Sequence, residues 1–222
     1  MAREIEIKLR IRDTQTLLRL VRKLGARPVH PAGARMWQHN VLFDTPQGGL
    51  ARRGQILRIR TEQLVGRLRN GKQKRSGRAL VTFKCPVEGT AVLEGCEHPR
   101  HRVREETEVV VEDAAKFARI FEGLGMAGWF CYERYRTTFR LPRSKKWAKG
   151  LLIELDETPI GTFVELEGPP GAIDRAATEL GFSSQDYILK NYLALYVEDC
   201  RRREVEPTHM LFDDARVSKE QT

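Results

Sequence analysis

Acidic and basic side chains alternate with apolar ones along the first predicted strand, residues 3–11. Glu4, Glu6 and Lys8 lie on one face of this strand, because side chains on a β-strand point alternately to its two sides. Carboxylates in such a row can bind a divalent cation through oxygen, and a lysine beside them suits a phosphate oxygen. A charged strand face is more often simply exposed to water, so this strand alone leaves both interpretations open.

In most of the other predicted strands, charged residues again occupy alternate positions and so share one face, and the opposite face is apolar. The exception is the strand at 128–141, where large side chains lie on both faces. The basic members of the charged faces are Arg10, Arg58, Arg60, Lys84, Arg104, Arg134 and Arg136. The acidic members are Glu106, Glu108, Glu154, Asp156, Glu165 and Glu167. Acids and bases therefore form separate clusters of similar size.

The order of the elements predicts a barrel. Strands are expected at 3–11, 35–44, 55–61, 79–85, 103–112, 128–141, 150–156 and 160–168. Asp13 and Asp113 each cap a helix, and the helices end at Gly25 and Gly125. Strand, helix and three strands thus occur twice, which predicts an α+β fold with one eight-stranded antiparallel barrel, closed or nearly so. Two further helices, at 172–180 and 185–198, are expected to close one end.

The charged faces of such a barrel can point to water or into its interior. The helices carry apolar stripes and need the apolar side of the sheet, which favours an interior lined with charge. Buried charge requires compensation. A polyphosphate bound with a divalent metal would compensate both clusters at once, because bases suit phosphate and carboxylates suit the metal. Strand phasing alone leaves this tunnel and a solvated sheet face as equal alternatives.

Composition points to a polyanionic partner. The chain has 222 residues, of which 41% are hydrophobic and 31% charged, and its formal net charge is +9. No apolar run approaches the roughly 18 residues of a membrane span, and no signal-peptide core is recognisable. The four cysteines show no Cys-x-x-Cys spacing. We therefore expect a cytoplasmic protein with reduced thiols and no membrane partner.

Several motifs in fixed order resemble the CYTH superfamily, which joins class IV adenylyl cyclases, thiamine triphosphatases and triphosphate tunnel metalloenzymes. The first is Glu-x-Glu-x-Lys at residues 4–8, and the second is Leu-Phe-Asp-Thr-Pro at residues 42–46. The others are Leu-Arg-Ile-Arg at 57–60, Thr-Phe-Lys at 82–84, Glu-x-Glu at 106–108, Arg-x-Arg at 134–136, Leu-Asp-Glu at 155–157 and Phe-Val-Glu-Leu-Glu at 163–167. The resemblance runs over residues 3–196.

The resemblance implies a triphosphate tunnel in a domain at 1–199, and the charged, aperiodic residues 200–222 are predicted to be a mobile tail. It implies catalytic roles for Glu4, Glu6 and Lys8. The implied triphosphate-binding residues are Lys8, Arg58, Arg60, Lys84, Arg134 and Arg136, and Lys190 is a further candidate from the last helix. The implied ligands of Mg²⁺ or Mn²⁺ are Glu4, Glu6, Glu106, Glu108, Asp156, Glu165 and Glu167.

The function implied by the resemblance is hydrolysis of an inorganic or organic triphosphate, such as tripolyphosphate, ATP or thiamine triphosphate, with a divalent metal. A class IV adenylyl cyclase that converts ATP to cyclic AMP and pyrophosphate is the alternative, because the same phosphate clamp serves both reactions. A non-catalytic polyphosphate-binding module is a second alternative. Some members of the family form homodimers, so a homodimer is a further expectation.

Two rival signals are weaker. The basic segment at 66–78 could contact nucleic acid phosphates, but its lack of aromatic residues favours a solvated hairpin end. Cys96, His98 and His101 have a spacing that could suit zinc, but a fourth ligand is missing. We therefore expect neither nucleic acid nor zinc as a partner.

Overall fold

The structure, a computed structural model, describes residues 2–31, 34–66, 77–87 and 100–213. Within these ranges it contains nine strands and five α-helices. The strands are β1 Ala2–Ile11, β2 Arg27–Pro28, β3 Arg35–Asp44, β4 Ile56–Val65, β5 Arg78–Pro86, β6 Arg102–Val111, β7 Ala127–Arg140, β8 Leu152–Thr158 and β9 Gly161–Glu167. The helices are α1 Thr14–Lys23, α2 Gly49–Arg52, α3 Ala114–Gly123, α4 Pro170–Glu179 and α5 Tyr192–Arg202.

The strands form one antiparallel sheet that closes on itself. Around the barrel the order is β7, β3, β4, β5, β6, β1, β9 and β8, and β8 pairs with β7 to complete the ring. The short strand β2 adds to the edge of β7. The predicted α+β fold with an eight-stranded antiparallel barrel is therefore confirmed.

The charged strand faces point into the barrel. In β1, Ile7 and Leu9 are completely buried on the outer face, in a core shared with α1 and α4. Glu6 and Lys8 occupy the other face and are also buried. The helices take the apolar side of the sheet because their apolar stripes need a partner outside it. Of the two interpretations that the sequence allowed, the charge-lined barrel is the correct one.

Helices α1 and α3 begin in the same way at equivalent points of the two halves. The Asp13 carboxylate accepts hydrogen bonds from the backbone N–H groups of Gln15 and Thr16, and Asp113 does the same at α3. Gly25 and Gly125 follow the two helices with φ values of 78° and 80°, a left-handed conformation that glycine adopts without strain. The repeat predicted from the sequence is thus present in the caps as well as in the strand order.

The C-terminal part departs from the prediction. The last helix begins at Tyr192 rather than near residue 185, because Ser183 and Asp186 form a capping box around a short 3₁₀ turn. Ile188 then pairs with the backbone of Lys8 in β1, with N···O distances of 2.8 and 3.0 Å. Helix α5 packs its first turns against inward-facing aromatic residues of the barrel and so fills part of one end.

Part of the segment predicted as a mobile tail is folded. Cys200 belongs to α5 and is buried, and Met210 is 1% exposed. The Met210 carbonyl accepts a hydrogen bond from Glu133 N–H, and Met210 N–H donates to the Cys131 carbonyl. Phe212 N–H also donates to Glu133. These contacts tie residues up to 212 to β7, because Met210 supplies an apolar anchor that the charged sequence around it conceals. Residues 214–222 lie outside the described ranges. No helix in the described part of the chain is long and apolar enough to cross a membrane.

Candidate functional site

A cavity of about 80 Å³ lies inside the barrel. Its described wall carries the basic residues Lys8, Arg58, Arg60, Lys84, Arg102, Arg134 and Arg136. It also carries the acidic residues Glu4, Glu6, Glu165 and Glu167. The remaining lining residues are Leu42, Ile56, Tyr132, Asn191, Tyr192 and Leu193. The inward face of every strand with charged residues except β8 thus reaches the cavity.

The arginines of β4 are buried cations with few anionic partners. Arg58 donates to the Tyr132 hydroxyl at 3.2 Å and to Thr82 Oγ1 at 3.1 Å, and its closest recorded carboxylate is Glu108 at 3.7 Å. Among the described side chains, Arg58 Nε is the buried polar atom without a hydrogen-bond partner. Burial and the neighbouring positive charges lower the pKa of Arg60 to about 10. Glu62 lies 3.4 Å from Arg60 but also binds Arg78 and Gln38. This side of the cavity therefore carries more positive than negative charge.

The arginines of β7 are held by carboxylates behind them. The Asp156 carboxylate accepts hydrogen bonds from Arg134 and Arg136, each at 2.7 Å, and from the Tyr192 hydroxyl at 2.6 Å. Glu165 contacts both arginines as well. Burial lowers the pKa of Arg134, but the carboxylates of Asp156 and Glu165 outweigh it and hold that pKa above its ordinary value. These arginines are consequently fixed in place.

Lysines separate the carboxylates of β1 and β9. Lys8 Nζ lies 3.1 Å from both a Glu6 oxygen and a Glu165 oxygen. Lys84 Nζ donates to the two oxygens of Glu4 at 2.6 and 2.7 Å. Burial lowers the pKa of Lys8, but its two carboxylate partners outweigh burial and raise the pKa above its ordinary value. Lys8 therefore remains charged at neutral pH.

The acidic side of the cavity is crowded with negative charge. Burial, then the nearby Glu154 and Glu4, raises the pKa of Glu167 to about 8. Burial also raises the pKa of Glu4 itself, against the attraction of Lys84. A divalent cation would relieve this repulsion, and carboxylate oxygens are the ligands that Mg²⁺ and Mn²⁺ prefer. The donor set fits such a metal by its chemistry.

The carboxylates must turn to receive a metal. Across the described residues, no three acidic, histidine or cysteine side chains stand ready as a coordination group. The reason is that Glu4, Glu6 and Glu165 are engaged with Lys84, Lys8 and the arginines. To bind here, a metal would have to replace these ammonium and guanidinium groups as the partner of the carboxylates.

Four residues predicted for the site lie outside the described cavity wall. Asp156 stands behind the β7 arginines, with none of its surface exposed. Glu106 contacts Lys84 at 3.3 Å, and Glu108 accepts a hydrogen bond from Thr82. Lys190 is on the surface, paired with Glu198 at 2.5 Å, because the helix that was expected to carry it inward begins only at Tyr192.

Several lining residues were not anticipated. Arg102 donates to Glu6 at 2.9 Å. It lies two residues before Arg104 and so points to the same face of the strand, but the predicted strand began one residue after it. Tyr132 lines the cavity because the inner face of β7 carries Phe130, Tyr132, Arg134 and Arg136. Its position an even number of residues from both arginines could have predicted this placement. Tyr192 could not have been found from its own sequence, since α5 begins later than the helix pattern indicated.

Of the rival metal ligands, only His101 lies in the described ranges. His101 Nε2 lies 2.8 Å from Asp174 Oδ1, and Tyr187 donates to the same carboxylate oxygen at 3.0 Å. This group ties the start of β6 to α4. Cys96 and His98 lie outside the described ranges, as do residues 67–76 of the basic segment.

The Tyr132 phenol gives the cavity a pH response. Burial opposes its ionisation, but Arg58, Arg134 and Arg60 outweigh burial and lower the pKa to about 8. A bound polyanion would neutralise these arginines and raise the pKa of Tyr132 again, so the phenol holds its proton more tightly in the complex.

Affinity for tripolyphosphate should therefore fall as pH rises through about 8, by up to about tenfold per pH unit. Calorimetric titration between about pH 7 and 9 measures this, and Tyr132→Phe should flatten the profile; an unchanged profile would contradict the assignment.

Bases of the kind that bind phosphate and carboxylates of the kind that bind a divalent metal thus share the inner wall of one antiparallel barrel. The family model for the CYTH domain matches residues 2–192. No curated protein matches the sequence at a significant level. This chain belongs to the CYTH family, whose members are triphosphatases or adenylyl cyclases that bind triphosphates and generally depend on a divalent metal.

Solved structures share the fold. A proposed adenylate cyclase from Vibrio parahaemolyticus is 16% identical, with a TM-score of 0.63 over 85% of this chain and 94% of that one. A protein from Pyrococcus horikoshii is 21% identical, with a TM-score of 0.62 over 88% and 98% of the two chains. A proposed adenylyl cyclase from Hippeastrum, described as having a dominant triphosphatase activity, is 22% identical, with a TM-score of 0.50 over 92% and 97%.

Proposed function

We propose that this protein is a divalent-metal-dependent hydrolase of triphosphates. The observation that carries the proposal is the unbalanced charge on the two sides of one cavity. Arg58 and Arg60 are buried cations whose carboxylate contacts are long and shared, since Glu108 lies 3.7 Å from Arg58 and also binds Thr82, and Glu62 lies 3.4 Å from Arg60 and also binds Arg78. On the other side, Glu167 is crowded by Glu154 and Glu4. Poorly compensated buried charge is costly, and a metal-bound triphosphate supplies an anion and a cation in one ligand.

The lining residues have distinct parts in this scheme. A divalent metal held by Glu4, Glu6, Glu165 and Glu167 would neutralise phosphate charge and lower the pKa of a bound water. Arg58 and Arg60 bind phosphate oxygens, which bring negative charge close to these two arginines. Arg134 and Arg136, fixed by Asp156, stabilise negative charge that develops on the leaving phosphate without having to reorganise. No covalent nucleophile is required of the chain.

Hydrolysis and cyclisation use the same clamp and differ in which phosphorus is attacked. The Hippeastrum protein, with its dominant triphosphatase activity, supports hydrolysis as the first choice. The test incubates the protein with ATP, tripolyphosphate or thiamine triphosphate in Mg²⁺ or Mn²⁺ and separates the products. Orthophosphate release is expected. Cyclic AMP with pyrophosphate would replace the proposal by a cyclase, and tight binding without turnover would replace it by a binding module.

Arg58→Ala should raise the KM for tripolyphosphate by about tenfold or more, because a charged hydrogen bond to a phosphate is worth roughly 1.5–3 kcal/mol. The matched control is Arg119→Ala, which removes an exposed arginine from α3. Steady-state kinetics of both variants measure the difference. Equal KM values in the two variants would show that the phosphate chain does not lie along β4.

A further inference from the structure

Strand β7 lacks a strand partner along much of one edge. β8 has 7 residues against the 14 of β7, and it pairs with β7 only from Tyr135 to Phe139. Among the described strands, none pairs with residues 127–134 on the side away from β3. An unpaired strand edge presents backbone N–H and C=O groups that need partners. The strands alone therefore leave a gap in the barrel wall at the level of Tyr132.

Residues 208–212, called the C-terminal strap below, fill this gap. The Cys131 N–H donates to His209 Nδ1 at 3.2 Å, and the Cys131 carbonyl accepts from Met210 N–H at 3.0 Å. Glu133 N–H donates to the Met210 carbonyl at 2.9 Å. Three backbone groups on the free edge of β7 are thus satisfied by the strap. The strap follows the residues that the CYTH domain matches, so the family resemblance does not account for it.

The strap is held by α5 and by one buried side chain. The Tyr196 hydroxyl of α5 donates to the His209 carbonyl at 3.0 Å and accepts from Thr208 N–H at 3.3 Å. The Met210 side chain is 1% exposed and belongs to the same apolar cluster as Tyr196. The next residue, Leu211, is 40% exposed. Met210 therefore supplies the apolar packing of the strap, and Leu211 contributes little to it.

Tyr132 connects the strap to the cavity. Its backbone forms a parallel bridge to Met210, and its side chain lines the cavity. The Tyr132 hydroxyl accepts a hydrogen bond from Arg58 at 3.2 Å, and Thr82 Oγ1 accepts another at 3.1 Å. These two uncharged groups orient the Arg58 guanidinium. A cation that binds a substrate works best when its direction is fixed beforehand by such neighbours.

We propose that Met210 is a positioning residue for triphosphate binding, because through Tyr132 it holds the Arg58 guanidinium towards the phosphate chain. This inference rests on the proposed function, since the phosphate chain must occupy the interior of the barrel. Met210 is not part of the described cavity wall, so it acts through its neighbour. Loss of its side chain loosens the strap, and the unpaired edge of β7 then allows Tyr132 and Arg58 to move.

The test measures, by calorimetry in Mg²⁺, how tightly the full chain and its variants bind methylene-bridged tripolyphosphate, which cannot be hydrolysed. Met210→Ala should weaken binding by about threefold to tenfold, as expected of a residue that acts on a site without touching the ligand. Met210→Leu retains an apolar side chain of similar size and should bind within about twofold of the unaltered protein. Leu211→Ala is the matched control and should also stay within about twofold.

A second set of variants separates positioning from support of the fold. Tyr132→Phe removes the hydroxyl that orients Arg58, so adding Met210→Ala to it should weaken binding by less than about twofold more. The same loss with and without Tyr132→Phe would show that Met210 only supports the fold. His209→Ala removes the acceptor for Cys131 N–H from an exposed residue. It should weaken binding in the same direction as Met210→Ala, so the test holds even where Met210→Ala does not fold.

Turnover of tripolyphosphate, measured separately, distinguishes this inference from the proposed function. If binding follows the expected pattern but no product forms, the positioning role stands and the hydrolase proposal fails. If product forms but Met210→Ala and His209→Ala bind as tightly as the unaltered protein, the positioning role fails and the hydrolase proposal stands. If the unaltered protein neither binds the analogue nor releases phosphate, both are overturned.

Discussion

Replacing Glu165 by glutamine should lower kcat/KM for triphosphate hydrolysis by about 100-fold or more. Mutating a residue that only supports a metal ligand already lowers metal affinity or activity by about 10–100-fold, and Glu165 is proposed as a ligand itself. Glu165 lies at the meeting point of the site, in contact with Lys8, Arg134 and Arg136. Glutamine keeps the shape of the side chain but removes the charge that a metal requires. Activity assays over a range of Mn²⁺ concentrations measure the loss and should show partial recovery at high metal.

Glu6→Gln should behave in the same way, because Glu6 shares Lys8 with Glu165 from the neighbouring strand. The matched control is Glu122→Gln, which alters an exposed residue of α3. Circular dichroism of each variant checks that the barrel is intact. Full activity in both Glu6→Gln and Glu165→Gln would remove the metal site from the proposed function.

Replacing Asp156 by alanine should destabilise the protein by roughly 3–5 kcal/mol, the cost of leaving buried partners of an ion pair uncompensated. Asp156 is completely buried and holds Arg134, Arg136 and Tyr192 together. For a chain of this size such a loss lowers Tm by about 6–20 °C. Differential scanning calorimetry measures it. Tripolyphosphate should restore part of the lost Tm, because it provides the two arginines with another anion.

The control for this change is the next residue of the same strand. Glu157 forms an ion pair with Arg35 at 2.7 Å on the outer side of the barrel, with 38% of its side chain exposed. Exposed pairs of this kind contribute about 0–1 kcal/mol, so Glu157→Gln should leave Tm nearly unchanged. Loss of activity in Asp156→Ala without loss of stability would instead favour the metal-binding role that the family resemblance implies for Asp156.

The barrel could be predicted because its determinants are local and repeated. The alternation in β1 and the paired caps at Asp13 and Asp113 each specify an element from a few neighbouring residues. Once the strands are phased, their charged faces must share one side of the sheet. The helices then decide which side that is, because only one orientation covers their apolar stripes.

The parts that could not be predicted depend on contacts between distant residues. Asp156 looks like any other acid of the lining until β7 and β8 are paired and its carboxylate is found behind the arginines. Lys190 was expected to reach inward, but the bridge from Ile188 to Lys8 delays the last helix and leaves Lys190 on the surface. The irregularity in the pairing of β3 with β7, where Leu42 lies opposite Phe130 but Phe43 lies opposite Gly128, likewise has no local signature, since it arises from a shift in register between two strands.

Closure of the barrel also has a consequence for how the chain folds. Glu6 of β1 lies opposite Arg102 of β6 on one side and Glu167 of β9 on the other. Both pairings join residues far apart in sequence, and chains rich in such contacts fold slowly because long loops must close first. During synthesis β1 cannot pair with β9 until nearly the whole domain has emerged. The barrel therefore closes late, when β9 reaches β1, and the cavity forms only when the fold is complete.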